Sequence, residues 1–436
     1  MSKRLLKYVF LILGTSLISF SQKADSSTVY TVFDLEKQID SIINNAIKNE
    51  AFPGCVVYAR HKDSVLFQKS YGFHTYDSLV DVKKDDIYDL ASITKVIGST
   101  LALMKLYEDS LIHLDDPIKK YVDKMGGKVG RVTLREALAH QGGLYRWIPY
   151  HQVIRKRNGS FRKRDMIQSK DEKHSFAITD SLYLSDNFYR KRIKKLIRKS
   201  EVKKNPRYKY SGLFFYLVPE MVENLTGLSL DQYLNLHFYE PLNASTLGYL
   251  PTQKFSLERI PPTEVDTFFR MRPIHGTVHD EGAIMMKGVS GNAGLFSNAQ
   301  DLAKVMRLLL NGGKADSLTL LSPQTIELFT TTQYPNLNNR RGLGFDKPLL
   351  EYDSIRSSVA KDASYRSFGH TGYTGTLAWA DPENEVIFIF LSNRVYPTRK
   401  NTALYRLNVR PTIHQLLCDF LKQKNSPFIS PVQNAN

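Results

Sequence analysis

One serine and one lysine in this 436-residue chain have the spacing of a nucleophile and its base. Ser92 and Lys95 lie three positions apart at the head of an apolar run that continues through Leu101, Leu103 and Met104. If that run is a helix, residues three apart face the same side, so the amine can reach the hydroxyl. The N-terminal end of a helix also favours a developing oxyanion through its dipole and its unpaired N–H groups. These residue types therefore predict a serine nucleophile with a built-in base.

The same spacing recurs elsewhere, so the pair alone does not identify a site. It is found at Ser160/Lys163, Ser200/Lys203 and Ser358/Lys361. The first two of these pairs lie in a strongly basic stretch, the third lies in a charged loop, and none of them begins an apolar helix. Position in the chain therefore favours Ser92 and Lys95.

Composition describes a globular chain with one strongly basic segment. The chain is 42% hydrophobic and 24% charged, with a net charge of +17, which is typical of a folded protein. Residues 151–210 hold 19 lysines and arginines against 6 aspartates and glutamates. A weak contact of this segment with an anionic surface would explain the charge; so would a solvated helical insertion, which we favour. Nucleic-acid binding is not expected of a chain that is exported, as proposed next.

The N-terminus has the pattern of a secretory signal. Three basic residues in the first seven positions precede an apolar run from 8 to 20, and small residues follow before Gln22. This order predicts a signal peptide over 1–21 and a periplasmic or secreted protein. An uncleaved inner-membrane anchor is the alternative.

Cysteine and histidine usage does not indicate a metal site. Cys55 and Cys418 are the two cysteines, so either one disulfide or two buried thiols is possible. His275 and His279 have an i, i+4 spacing in a glycine-bearing loop, and we expect them to line a cleft. No metal or other cofactor is expected.

Strand patterns occur near both ends of the chain. An amphipathic helix that opens at Asp34 precedes a hairpin made of 55–60 and 64–70. Near the C-terminus, strands at 375–380 and 386–392 flank a turn. The second of these is apolar on both faces, as expected of a central strand in a sheet that is covered on both sides. A final helix is predicted over 411–421.

The region between these ends is predicted to form helices, with starts at Thr133, Leu213 and Ser297. We therefore predict an α/β (α+β) fold in which an antiparallel sheet, flanked by helices and built from both termini, carries an inserted mostly helical domain. The predicted hydrolase domain spans 30–425, with its sheet part at about 34–75 and 360–423 and its helical part at about 76–359.

Three short motifs follow one another in the sequence. Ser92-Ile93-Thr94-Lys95 starts a helix, Tyr210-Ser211-Gly212 precedes another helix, and His370-Thr371-Gly372 precedes the C-terminal strand pair. This order resembles the serine β-lactamase and penicillin-binding protein superfamily, whose motifs are S-x-x-K, Y-x-N and K/H-T-G. More narrowly, it is similar to the class C β-lactamase-related branch of D,D-peptidases, D-aminopeptidases and esterases. The resemblance covers roughly residues 35–420 and includes the flanking segments 114–118, 132–144 and 291–303.

The resemblance implies a role for each motif residue. Ser92 would be acylated, Lys95 would accept its proton with the help of Tyr210, and Tyr210 would pass a proton to the leaving group. The backbone N–H groups of Ser92 and Tyr373 would form the oxyanion hole. The neighbouring substrate-contacting residues would be His370, Thr371, Gly372 and Gly212.

Two departures from the motifs bear on the substrate. Gly212 stands where the family has asparagine, and His370 stands where many members have lysine. The chain therefore lacks the side-chain amide and the fixed positive charge that position a β-lactam in the family. We predict an exported serine hydrolase that acts on amide or ester bonds, with cell-wall peptides containing D-amino acids, muropeptides among them, as the leading substrates. An esterase or β-lactamase is one alternative. A penicillin-binding sensor with little turnover is the other, and the oligomeric state stays open.

Overall fold

The computed structural model describes residues 31–204 and 206–425. The predicted signal peptide over 1–21 lies outside these residues. Among the residues described, no helix has both the length and the apolar character needed to span a bilayer.

A five-stranded antiparallel sheet joins the two ends of the chain. Its strands are β1 (Gly54–His61), β2 (Ser64–Gly72), β3 (Phe368–Thr371), β4 (Leu377–Asp381) and β5 (Val386–Ser392). They are ordered β3-β4-β5-β1-β2. β5 is the middle strand and pairs with β1 and β4 along its length. The predicted fold class is confirmed, and so is the central position of the apolar strand.

Both faces of the sheet are buried, each in a separate hydrophobic core. Ile387, Ile389 and Leu391 of β5 point into one core, while Phe388 and Phe390 point into the other. This is the alternation that a strand imposes on successive side chains. On the second face the sheet packs against α1 (Val32–Lys48) and α6 (Val409–Asn425), which also contact each other.

The opposite face packs against the helical part of the chain. Its longer helices are α2 (Leu101–Glu108), α3 (Val218–Thr226), α4 (Ala299–Leu310) and α5 (Pro323–Thr330). α4 lies directly against β1, β4 and β5. One core extends from the sheet through these helices, so the helical part is anchored to the sheet.

Shorter elements connect these helices and strands. The short α-helices are Leu134–Leu138, Tyr150–Val153, Lys194–Lys199, Leu230–Leu234, Glu281–Ile284 and Ala403–Arg406. Short 3₁₀ and π segments are Ala91–Ile93, Lys95–Thr100, Ile118–Lys120, Val129–Arg131, Tyr189–Ile193, Phe214–Tyr216, Asn235–Tyr239, Pro251–Gln253, Leu257–Arg259 and Pro335–Leu337. Small antiparallel sheets are formed by Tyr88–Asp89 with Phe296–Ser297, by Met166–Ile167, Leu182–Leu184 and Phe176–Thr179, by Glu264–Asp266 with Arg272–Ile274, and by Lys314–Ala315 with Leu318–Thr319.

Three helix starts differ from the prediction, two in the capping residue and one because the helix is interrupted. α1 begins two residues before Asp34, because Thr31 is its N-cap and Asp34 completes a capping box from the third helical position. α4 is capped by Asn298 and not by Ser297, since the Asn298 side chain accepts the Asp301 N–H. The helix predicted from Leu213 is interrupted, and α3 starts afresh with Pro219 in its first turn, where a missing N–H does not break a hydrogen bond.

The first of the two predicted C-terminal strands starts later than predicted, whereas the second, β5, has the predicted bounds. Gly375 is in a turn at φ +109°, so β4 begins at Leu377 instead of position 375. His370 and Thr371 do not merely precede a strand pair; they lie in the edge strand β3. The final helix is longer than predicted and is α6, Val409–Asn425.

The two cysteines are free and buried, so the structure contains two thiols and not the alternative disulfide. Burial raises the pKa of the Cys55 thiol well above its ordinary value. Burial is also the main reason that the pKa of the Cys418 thiol is raised to about 12. Both thiols are therefore protonated, unreactive core groups at neutral pH.

Candidate active site

Ser92 and Lys95 lie on a tight turn that leads into α2. Ser92 is in the 3₁₀ turn Ala91–Ile93, and Lys95 opens the π segment that continues into the helix. The Lys95 Nζ donates to Ser92 Oγ at 2.9 Å and to the carbonyl oxygen of Asn292 at 2.8 Å. Lys95 is only 3% exposed. Its amine is thus held in the protein interior and directed at the serine oxygen.

Tyr210 reaches the same oxygen from the other side of the site. Its hydroxyl donates to Ser92 Oγ at 3.2 Å. The tyrosine ring lies 4.6 Å from the ring of His140 and 5.3 Å from the guanidinium of Arg341. The structure therefore brings the predicted nucleophile, base and proton carrier together around one oxygen atom.

The His370-Thr371-Gly372 strand runs beside the nucleophile turn because glycine permits a close approach. A Cβ atom at Gly372 would lie 2.0 Å from Thr376 Oγ1 and 2.6 Å from the carbonyl oxygen of Leu90. Thr374 Oγ1 donates to the carbonyl oxygen of Asp89 at 2.8 Å. These contacts hold the backbone around Tyr373 against the nucleophile turn, and the Tyr373 side chain is 47% exposed.

Asp89 is a site residue that the sequence analysis missed. Its carboxylate accepts the N–H of Ala91 at 2.8 Å and the N–H of His279 at 2.7 Å. Ala91 has a φ of +46°, a backbone conformation that residues other than glycine rarely adopt. Burial is the main reason that the pKa of Asp89 is raised. The carboxylate thus supports a strained residue directly before Ser92, and its short backbone-to-side-chain contacts leave no pattern in the sequence.

His370 is a neutral imidazole in this site. Burial, together with the positive charge of Arg341, lowers its pKa to about 3. Its Nδ1–H donates to the carbonyl oxygen of Thr371 at 2.7 Å. Its Nε2 is buried and has no hydrogen-bond partner among the described residues. His370 therefore does not supply the positive charge that a lysine has at this position.

Arg341 is the second site residue that the sequence analysis missed. It is 4% exposed, and its Nε donates to the Tyr208 hydroxyl at 3.2 Å. Burial alone would lower the pKa of Arg341, but the Asp346 carboxylate and the tyrosine oxygens outweigh this effect and raise it. A permanent positive charge is thus held beside Tyr210.

A family model described as Beta-lactamase matches residues 39–410. This span includes the serine turn, the Tyr210 loop and the His370 strand. The chain belongs to the beta-lactamase family.

Two named relatives align with most of this chain. A protein of Escherichia coli (strain K12) named "Putative D-alanyl-D-alanine carboxypeptidase" is 28% identical over 446 aligned positions, covering 94% of this chain and 96% of the relative. A protein of Salmonella typhimurium with the same name is 28% identical and covers 88% and 91% of the two chains.

Two solved structures share the fold. A penicillin-binding protein homolog from Caulobacter crescentus has a TM-score of 0.61 at 17% identity, covering 87% of this chain and 97% of that one. The hydrolase EstCE1 has a TM-score of 0.62 at 16% identity, covering 88% and 99%. As a member of the beta-lactamase family, the chain is a serine hydrolase.

Gly212 leaves open space in the site of this beta-lactamase family member. Its N–H donates to the carbonyl oxygen of Arg146 at 3.2 Å, and apart from its chain neighbours no atom of the described residues lies within 4 Å of where a Cβ would be. The asparagine of the family motif therefore has no substitute from a neighbouring side chain at that point.

The histidines of the 275–281 loop make protein contacts. His275 Nε2 lies 2.6 Å from the carbonyl oxygen of Ile260, and His279 Nε2 lies 2.8 Å from a Glu264 oxygen. In the described part of the chain, no group of three or more potential ligands is arranged to hold a metal ion. The ring of His279 lies 5.7 Å from that of Tyr373, which puts this loop at the edge of the site.

Proposed function

We propose that this protein is an exported hydrolase that forms an acyl-enzyme on Ser92 and cleaves cell-wall peptides containing D-amino acids. The observation that carries the proposal is the approach of Lys95 Nζ and the Tyr210 hydroxyl to Ser92 Oγ, at 2.9 and 3.2 Å. A hydroxyl with a buried amine and a phenol at hydrogen-bond distance has what nucleophilic catalysis requires. The carboxypeptidase name of the curated relatives supports the substrate class, and the signal pattern over 1–21 supports export.

The reaction follows from these contacts in two halves. Ser92 Oγ attacks the carbonyl carbon of the peptide while its proton passes to neutral Lys95, and the N–H groups of Ser92 and Tyr373 stabilise the resulting oxyanion. Tyr210 then protonates the leaving amine, the C–N bond breaks, and the acyl-enzyme remains. The proton on Lys95 then passes to the Tyr210 oxygen, which restores both groups. In the second half, water attacks the ester and gives a proton to the same groups, and they pass it to Ser92 Oγ as the C–O bond breaks and the carboxylic acid product leaves.

An esterase is the second candidate, and the open space at Gly212 favours it. An amide side chain at this position would hold the amide of a β-lactam or peptide substrate. An ester has no N–H group at the scissile bond and needs such a clamp less. The same absence argues against efficient β-lactam hydrolysis.

Substrate comparison with a nucleophile variant tests the proposal. Hydrolysis of D-Ala-D-Ala peptides, p-nitrophenyl esters and nitrocefin is measured for the native protein and for Ser92→Ala. We expect peptide cleavage by the native protein and none by the variant. Activity that survives in Ser92→Ala would disprove the mechanism, and turnover of esters alone would assign the esterase.

Labelling distinguishes an enzyme from a penicillin sensor. A fluorescent penicillin or fluorophosphonate is added, and the modified peptide is mapped. We expect a good peptide substrate that is present in excess to slow the labelling of Ser92, and we expect the penicillin label to be lost by hydrolysis. A penicillin label that stays for hours without any product release would instead support the sensor.

A further inference from the structure

The guanidinium of Arg341 is incompletely paired inside the site. Its Nη1 is buried and has no hydrogen-bond partner among the described residues. Its central carbon lies 5.3 Å from the centre of the Tyr210 ring and 5.9 Å from that of Tyr208. A buried guanidinium with a free N–H next to a proton-transferring phenol calls for a function, because an unpaired buried donor is costly.

One carboxylate holds two arginines at this point. Asp346 accepts from Arg340 Nε at 2.8 Å and Arg340 Nη2 at 3.1 Å, and its Oδ1 lies 3.2 Å from Arg341 Nε. Asp346 is buried, at 5% exposure. The three groups together carry one excess positive charge, and Arg341 is the arginine that lies against Tyr210.

We propose that Arg341 supplies the fixed positive charge of the acylation site that a lysine at the His370 position supplies in the K-T-G form of the motif. This inference rests on the proposed function of Ser92. Arg341 is a positioning residue that acts through Tyr210. When the Tyr210 O–H gives its proton to the leaving amine, the oxygen left behind is negative, and a nearby cation in a dry site stabilises it. The oxygen then regains a proton from Lys95 or water.

Other charged or titratable groups face Tyr210, but they do not replace Arg341. His370 and His140 are both held neutral, since burial lowers the pKa of each. Lys95 Nζ lies 5.5 Å from the Tyr210 ring, but it must be neutral when it accepts the Ser92 proton. Arg341 is therefore the one group near Tyr210 whose positive charge persists through the proposed cycle among the residues that the structure describes.

A set of four variants tests this charge. We expect Arg341→Gln to lower kcat/KM for a D-Ala-D-Ala peptide by about 10- to 100-fold. We also expect it to move the acid limb of the pH profile to higher pH, because a base that loses a neighbouring cation holds its proton more tightly. Arg341→Lys keeps most of the activity. Arg307→Gln, on α4 with Asp63 as the ion-pair partner of the arginine, changes kcat/KM less than threefold.

The fourth variant moves the charge to the motif position. In an Arg341→Gln background, His370→Lys should raise kcat/KM at least tenfold above that of Arg341→Gln alone. A loss of activity in Arg341→Gln with an unmoved pH profile and no rescue by lysine at 370 would overturn the proposal in favour of a structural role. An inactive native protein would refute the proposed function itself, while an active native protein with an equally active Arg341→Gln variant would refute only this inference.

A second inference concerns the helix formed by Tyr189–Ile193 and Lys194–Lys199. Ile193 and Ile197 bury one side of this helix. The other side is cationic and exposed, and none of its basic side chains forms an ion pair with a described carboxylate. These residues are Arg190, Lys191, Lys195, Arg198 and Lys199.

Basic residues also lie between this helix and the active site. The Lys203 N–H donates to the Gly143 carbonyl oxygen at 3.1 Å, and the Lys209 N–H, next to Tyr210, donates to the His140 carbonyl oxygen at 3.1 Å. The lining of a cavity of about 400 Å³ beside these residues includes three basic residues and one acidic residue, namely Lys203, Arg207, Lys209 and Glu201. We infer that this surface binds a carboxylate-bearing polymer that presents the scissile peptide. This inference rests on the proposed function.

Binding without catalysis tests this surface. Poly-L-glutamate is titrated into the Ser92→Ala protein, with neutral dextran and vesicles containing anionic lipid as comparisons. We expect binding to poly-L-glutamate that weakens with salt and falls at least tenfold in a Lys191→Glu, Lys195→Glu, Lys199→Glu triple variant. When Ser92 is retained, the same triple variant should cleave a short D-Ala-D-Ala peptide at a rate within twofold of that of the native protein.

The matched control reverses three exposed lysines elsewhere, namely Lys37, Lys48 and Lys84. It should change poly-L-glutamate binding less than twofold. Equal weakening by both triple variants, no binding by the native surface, or binding to vesicles alone would overturn the inference. Cleavage of short peptides does not enter the binding measurement, so these outcomes do not depend on turnover.

Discussion

At the scale of single residues, the site depends on the surroundings of Lys95. A lysine amine in water is protonated at neutral pH, whereas the proposed base must be neutral when it accepts the Ser92 proton. Its Nζ is enclosed between Ser92 Oγ, the Asn292 carbonyl oxygen and the rings of Tyr210 and Phe215, at 5.5 and 5.6 Å. The described contacts of this amine include no carboxylate.

Removing the amine tests that role. Lys95→Met keeps the length and the apolar stem of the side chain, so we expect the fold to be retained. The rate at which Ser92 reacts with a fluorophosphonate should fall by about 10²- to 10⁴-fold. Lys105→Met on α2 is the control, because its amine pairs with Asp109 away from the site, and it should leave the rate unchanged. Equal rates in both variants would exclude Lys95 as the base.

Gly212 offers a gain-of-function test. Gly212→Asn places an amide in open space, where it can hold a substrate amide. One additional hydrogen bond of about 1.4 kcal/mol corresponds to about a tenfold gain. We expect nitrocefin and peptide acylation to rise by that factor relative to p-nitrophenyl ester hydrolysis. Gly248→Asn, at a second open position, should leave the ratio unchanged; a shift there too would point to a general effect.

At the scale of elements, the site is formed where the nucleophile turn meets the edge of the sheet. β3 and the turn after it contact residues 89–91 through Thr374 and Thr376. This contact joins segments that are 285 positions apart in the chain. The edge strand therefore helps to hold the turn that carries the serine.

Gly372→Ala tests the contact between these elements. The added methyl group would meet the Leu90 carbonyl oxygen at 2.6 Å, so the turn must move away from the nucleophile. We expect the free energy of unfolding, measured in urea, to fall by about 1–3 kcal/mol, and acylation to fall with it. Gly126→Ala, at an exposed position with no atom within 4 Å, is the control. A fully active Gly372→Ala protein would show that the turn can relax.

Element boundaries were predictable where capping residues were unambiguous. The helix start predicted at Thr133 is confirmed, because Thr133 is the N-cap and forms a capping box with Glu136. At α4, Ser297 and Asn298 are both good N-caps, and the choice of Asn298 depends on Ser297 pairing with Tyr88 in a small strand. Such a pairing is a long-range contact that local preferences do not contain.

At the scale of the whole molecule, buried histidines connect stability to pH. Burial lowers the pKa of His370 to about 3 and that of His414 to about 4, and it lowers that of His140 well below its ordinary value. In the unfolded chain they titrate near 6.5, so below that pH the unfolded state binds more protons. Stability from these groups is complete above pH 6.5 and is lost as the pH falls toward 4.

His414 isolates this effect because it lies under the sheet, against Phe388, away from Ser92. The native protein should have a lower free energy of unfolding at pH 4.5 than at pH 7. In His414→Gln we expect that difference to be about 2 kcal/mol smaller. His113→Gln, at an exposed position, should leave it unchanged. An equal pH dependence in all three proteins would show that other groups determine it.

The sequence by itself determined the sheet built from both termini, the order of the three motifs and the Ser92–Lys95 pair. These features depend on side-chain periodicity and on short spacings, which a chain carries locally. Only the tertiary structure decided that His370 is neutral, that Arg341 carries the charge beside Tyr210, and that Asp89 supports the strained Ala91. Each of these depends on burial and on contacts between distant segments. A charge or a pKa in a protein interior is set by what packs around the group, and no local pattern records that.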